Sequence, residues 1–166
     1  MKGKKITIIA SVLLFIAILI FLFIPFLEIS YTKSINFVQR EKVQTQISGF
    51  KFLFSGGINS ADYFGIFNLF FIVIIISCIT LAIINIINNS KRIFKIVLLI
   101  SELAFTISSL FIFNYMANRI FGDDIIMIQV THSYTVTYYI YLSLTIISIC
   151  ILLIDYLKEL FKLTHQ

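Results

Sequence analysis

The sequence has no tryptophan, one proline, six glycines and two cysteines among its 166 residues. With Pro25 as the lone proline, long stretches run without a helix breaker, which argues against a collagen-like or loop-rich chain. Cys78 and Cys150 stand alone within apolar runs, with no Cys or His at ligand spacing, so neither a disulfide framework nor a zinc site is expected. They read instead as small buried hydrophobes. Charge is scarce as well. With 13% charged and 60% hydrophobic residues and a mean hydropathy of +1.03, the chain is too apolar for an ordinary soluble domain, and hydrocarbon must be most of its solvent.

A helical crossing of a bilayer needs about 20 consecutive apolar residues. Residues 6–27, 63–87, 96–113 and 138–154 each approach that length. The first run is longer than the apolar part of a signal peptide and leaves through "FIPFLEIS" with no small-residue cleavage pattern, so it reads as a retained anchor. The predicted architecture is an all-α membrane protein: a four-helix bundle, with helices at about 6–27, 63–87, 93–117 and 135–157, carrying a small extracytoplasmic antiparallel sheet. The outer loops are 28–62 and 118–134.

Lys2, Lys4 and Lys5 precede the first run, and Lys91, Arg92 and Lys95 crowd the link between the second and third. Basic residues at helix ends favour the cytoplasmic side, which predicts an integral plasma-membrane protein with both termini cytoplasmic. The net charge of +5 then reports topology rather than nucleic-acid binding. Tyrosine gives an independent indication, because its amphipathic ring prefers the interface. Tyr31, Tyr63, Tyr115, Tyr134, Tyr138, Tyr139 and Tyr141 fall at or near the outer ends, and Tyr156 alone falls at the inner one. The C-terminal "DYLKELFKLTHQ" reads as an extension of the fourth helix along the inner interface, with its lysines near anionic lipid.

In the first outer loop, Ile29, Tyr31, Ile35 and Phe37 alternate with polar residues, as do Val43, Thr45 and Ile47, and then Phe50, Phe52 and Phe54. Period two predicts strands, with the turn at "QREK" and a bend at Gly49. Residues 126–131 of the second loop are a further strand candidate, following a turn at Gly122 and the adjacent Asp123 and Asp124. Three or more strands sharing an apolar face can persist where a lone hairpin would not.

This layout resembles the claudin-type tetraspan arrangement: four helices, termini inside, a long first outer loop of alternating strands and a shorter second one. The resemblance implies a sheet on the outer ends of the helices. That family's Gly-Leu-Trp signature and outer cysteine pair have no counterpart here. The outer "SGF" segment is also similar to one in small bacterial tetraspan proteins, most of them of unassigned function.

Glu102 is a carboxylate inside an otherwise lipid-soluble stretch, "VLLISELAFTISS". Counted from Ile96 it lies about 9 Å deep at 1.5 Å per residue, where an ionised carboxylate costs on the order of 3 kcal/mol or more. Thr106 and Ser109 follow it on the same helix face. The same depth on the other helices falls near Ser11, Thr80, Asn85 and Cys150, so an intramembrane polar layer of Ser11, Thr80, Asn85, Glu102, Thr106 and Ser109 is predicted. Lys95 shares the face but is expected to snorkel toward the cytoplasm, leaving the layer without a cation. Three roles remain open for Glu102: packing within the bundle, pairing with another membrane subunit, or an ion or proton pathway. Small residues at Thr7, Ala10 and Ala17, and at Ser101, Ala104 and Ser108, permit close helix approach.

No Ser-His-Asp set, HExxH, CxxC or phosphate-binding loop is present, and His132 and His165 read as solvated side chains. The expectation is therefore a non-enzymatic accessory, assembly or immunity-type subunit needing no cofactor or metal. Its partners would be membrane lipids and another membrane or extracytoplasmic protein, or a second copy of itself. Phe50, Phe52, Phe54 and Glu102 are the candidate partner-binding residues. The alternative is a homo-oligomeric ion or proton channel with Glu102 as a ring of carboxylates.

Overall fold

The computed structural model describes residues 2–34, 40–55, 66–87, 92–112 and 130–164. Helix α1 (Lys2–Phe23) leads into strands β1 (Leu27–Ser34) and β2 (Arg40–Ile47), the short helix α2 (Gly49–Ser55), helices α3 (Ile66–Ile87) and α4 (Arg92–Leu110), strand β3 (Val130–Tyr134) and helix α5 (Val136–Thr164). Four of the helices are long and apolar enough to cross a membrane: α1, α3, α4 and α5. They close a bundle in which α1 packs against α3 and α5, and α4 against the same two.

Helix α1 ends because of Pro25. The Ile24 amide still donates to Ile20 O at 3.0 Å, but a proline has no amide proton to continue the ladder and disfavours helical backbone before it. The chain therefore leaves at Phe23, short of the predicted end at 27, and Leu27 already belongs to β1. Thr135 fastens this exit to the start of α5. Its amide donates to Phe26 O at 3.0 Å, and its hydroxyl donates to Pro25 O at 2.8 Å.

The sheet has the order β2-β1-β3 with both pairings antiparallel. Leu27 faces Ile47 on one side and Tyr134 on the other. Period two is kept: Leu27, Ile29 and Ile47 are buried, while Glu28 turns to the other face and accepts a hydrogen bond from the Gln44 amide. "QREK" is not the hairpin turn, since Arg40 to Lys42 already pair with Ser34 to Thr32. Ladder pairing carried strand β2 past that polar stretch. The predicted strand positions Ile35 and Phe37, and most of 126–131, lie outside the described residues.

The Phe50, Phe52 and Phe54 stretch is a helix rather than a third alternating strand. Ser48 starts it as an N-cap: its Oγ accepts from the Lys51 amide at 3.3 Å and its carbonyl from the Phe52 amide at 2.9 Å, which satisfies donors a helix start leaves open. Gly49 allows the close approach to α1, because a Cβ there would lie 2.4 Å from Phe21 Cε1 and 2.6 Å from the Phe21 carbonyl oxygen. Helical geometry puts Phe50 and Phe54 together on one outer face, with ring centroids 4.8 Å apart. Phe52 and Leu53 turn inward and are buried. The Asn68 amide on α3 donates to Phe52 O at 2.9 Å, holding α2 to the bundle.

At the sheet end the bundle interior is aromatic. Phe21 lies against Phe26, Phe71, Phe105 and Tyr141 with centroids 5.0 to 5.5 Å apart, and all five rings are fully buried. Farther down, Ala10 and Ala17 on α1 are buried small residues that let backbones come close. The outer faces carry Ile9, Val12, Leu19, Leu69, Val73, Ile76 and others like them, an apolar exterior suited to lipid rather than water.

Candidate functional site: a polar column inside the bundle

Each long helix turns a seam of inward residues toward the axis, and the charged ones, Lys95, Glu102 and Asp155, lie toward the end opposite the sheet. On α4 the buried positions are Lys95, Leu98, Glu102, Phe105 and Ser109; on α5 they are Tyr138, Tyr141, Thr145, Ser148, Leu152 and Asp155. Both follow steps of three and four, the spacing of one helix face. Helix α1 contributes Thr7 and Ser11, and α3 contributes Cys78 and Asn85.

Two layers result. In the lower one Lys95 Nζ lies 2.8 Å from Asp155 Oδ2, with both side chains almost wholly buried. Thr7 Oγ1 donates to the same carboxylate oxygen at 3.2 Å. Asn85 is buried with neither side-chain amide atom hydrogen-bonded among the described residues.

The upper layer is centred on Glu102, which is 0% exposed. Ser148 Oγ lies 3.0 Å from Glu102 Oε1 and 3.0 Å from the carbonyl oxygen of Ala10. Glu102 Oε2 and Ser11 Oγ are buried without a hydrogen-bond partner among the described residues. Thr106 donates to the Glu102 carbonyl at 2.8 Å and Ser109 to the Thr106 carbonyl at 2.7 Å, so both satisfy their hydroxyls within their own helix.

Of the residues assigned to the polar layer from sequence, the structure brings Ser11, Asn85, Glu102 and Ser109 inside and leaves Thr106 half-buried. Thr80 is exposed on the outside of α3. At 3.6 residues per turn it points away from Cys78, Ala82 and Asn85, which face inward. Cys150 likewise lies on the outer surface of α5. Lys95 does not snorkel out of the bundle: its ammonium is held inside by Asp155. The column thus has a cation, but it is neutralised locally and not by Glu102. Ser148 and Asp155 were missed as members. Their signal is the heptad-like seam that runs through Tyr141, Thr145, Ser148 and Leu152 to Asp155.

At the sheet end, Tyr134 stacks on Tyr138 with centroids 4.1 Å apart, and His132 meets the Tyr134 ring edge-on at 6.1 Å. Burial, with a smaller contribution from Tyr139, pushes the Tyr134 phenol above its ordinary value. Among the described residues no three His, Cys, Asp or Glu side chains converge as metal ligands.

The chain matches no protein-family model, and no curated protein or solved structure matches it significantly. The tetraspan layout therefore rests on the helices themselves.

Proposed function

We propose that this chain is a non-enzymatic accessory, assembly or immunity-type subunit of the plasma membrane. In this reading both termini are cytoplasmic and the sheet lies outside, as the basic helix ends and outer tyrosines favour. The observation that carries the reading is the stacked pair Phe50 and Phe54, 54% and 58% exposed, on a short helix pinned to the bundle by buried Phe52. Large aromatic rings held rigidly at a surface suit recognition of another membrane or extracytoplasmic protein, or of a second copy of this chain. Lipid would surround the long helices.

A conducting homo-oligomer is the competing reading. Its ring of carboxylates would require Glu102 at a surface shared between copies, whereas Glu102 is enclosed by its own bundle, and the five-ring aromatic cluster closes the interior above it. The deciding experiment is mild-detergent purification from native membranes with mass spectrometry of the bound material. A stoichiometric second protein, or a homo-oligomer, that is lost in the F50S/F54S double variant supports the subunit reading. Recovery of every companion unchanged, with Glu102→Gln altering ion flux in liposomes, would replace it with the channel.

A further inference from the structure

The hydrogen count around Ser148 bears on the state of Glu102. A serine hydroxyl has one proton to donate, yet Ser148 Oγ lies 3.0 Å from two oxygens, Ala10 O and Glu102 Oε1. A backbone carbonyl can only accept. Each contact is a full two-centre hydrogen bond only when Glu102 brings the second proton, donating to Ser148 Oγ while Ser148 donates to Ala10 O. With an ionised Glu102, the single Ser148 proton would have to be split between two acceptors, weakening both contacts.

The surroundings agree. Glu102 Oε2 has no hydrogen-bond partner among the described residues, and an ionised carboxylate with a bare buried oxygen is costly. The cation that shares its face, Lys95, is held by Asp155 at 2.8 Å and sits seven residues away, about 10 Å along the helix.

We propose that Glu102 is a proton-binding site, loaded at neutral pH, which exchanges its proton only with the end of the bundle that carries Lys95 and Asp155. Toward the sheet, Phe21, Phe71, Phe105 and Tyr141 fill the interior, and the Tyr141 hydroxyl, also without a hydrogen-bond partner among the described residues, belongs to a ring packed against Phe21 and Phe105. Ser11 Oγ beside Glu102, and both Asn85 amide atoms toward the other end, have no hydrogen-bond partner among the described residues, the kind of polar lining that holds bridging water. On release, the electron pair stays on the carboxylate, Ser148 turns its hydroxyl from Ala10 O to Glu102, and the proton leaves past Ser11 and Asn85 to solvent. Among the described residues, the buried polar and titratable groups of the four helices around Glu102 include these. Helix α1 offers Thr7 and Ser11, neither titratable; α3 offers Asn85 and Cys78; α4 offers Lys95; α5 offers Asp155 and Tyr141. Lys95 and Asp155 cancel each other, and a thiol and a phenol are neutral at neutral pH.

The test is carbodiimide labelling of the full chain in oriented lipid vesicles, read by peptide mass spectrometry. Dicyclohexylcarbodiimide adds whole to a protonated carboxyl, whose proton moves to the reagent's nitrogen, so the adduct reports the loaded site. Glu102 should be labelled at neutral pH, and labelling should fall about tenfold per pH unit above its midpoint, as for one proton. E102Q, which keeps a donor for Ser148, should stay folded and unlabelled. Only the pH on the N-terminal side should control the reaction. No adduct on a folded chain at any pH overturns the proposal, as does control by the pH on the sheet side. Protection by sodium against a choline control at constant pH would overturn it too, since the site would then be one for a metal cation.

Discussion

Asp155 Oδ2 receives Lys95 Nζ at 2.8 Å and Thr7 Oγ1 at 3.2 Å, so a single carboxylate ties α1, α4 and α5 together at one end of the bundle. Removing one member of a buried ion pair leaves the other charged and unsolvated, at a cost of about 3–5 kcal/mol. Replacing both with apolar residues removes the pair and the desolvation penalty together. Lys95→Met and Asp155→Leu should each lower thermal stability in detergent sharply, and the double variant should recover most of the loss. Simple addition of the two losses would show that the pair is not coupled.

The bundle was legible because its signal is long: apolar runs near 20 residues have few alternative readings. The strands were legible where alternation continued, as at Ile29 and Ile47. It failed at Phe50, Phe52 and Phe54, where aromatic residues at every second position also fit a helix, with Phe50 and Phe54 as an i, i+4 pair and Phe52 on the opposite face. Ser48, a cap, was the discriminating residue. Glu102 could be found as a lone carboxylate, but its contact with Ser148 joins positions 46 residues apart. Asp155 was harder still. Its seam gives the face, whereas its depth depends on α5 continuing to Thr164, beyond where an apolar count ends the span.

Gly49 is the point of closest approach between α2 and α1. A Cβ there would meet the Phe21 ring at 2.4 Å and the Phe21 carbonyl oxygen at 2.6 Å. Overpacking of this kind costs about 1–3 kcal/mol or more. Gly49→Ala should lower the unfolding temperature, and adding Phe21→Leu should not restore it, because the backbone oxygen remains in the way. Full rescue by Phe21→Leu would place the conflict in the ring alone.

The raised phenol of Tyr134 makes the sheet end sensitive to alkali. A group whose proton is held more tightly in the folded state gives stability that is complete below its unfolded pKa, about 10 for tyrosine, and is lost as pH rises through the higher folded value. Titration followed by tyrosinate absorbance should show alkaline loosening of the sheet end that is reduced in Tyr134→Phe. An unchanged alkaline transition in that variant would assign it to another group.

The three phenylalanines of α2 should separate cleanly into packing and surface roles. Phe52 is 1% exposed and meets Phe71 edge-on at 6.0 Å, so Phe52→Ala opens a cavity at a cost of about 3–5 kcal/mol. Phe50 and Phe54 touch each other at 4.8 Å and are more than half exposed, so F50A and F54A should each shift stability by less than about 1 kcal/mol. If the pair forms a recognition surface, those variants should lose bound protein while keeping the unfolding temperature of the unaltered chain. Loss of stability in F50A or F54A comparable with that in F52A would mean that the outer pair packs the fold, and the recognition surface would have to be sought elsewhere.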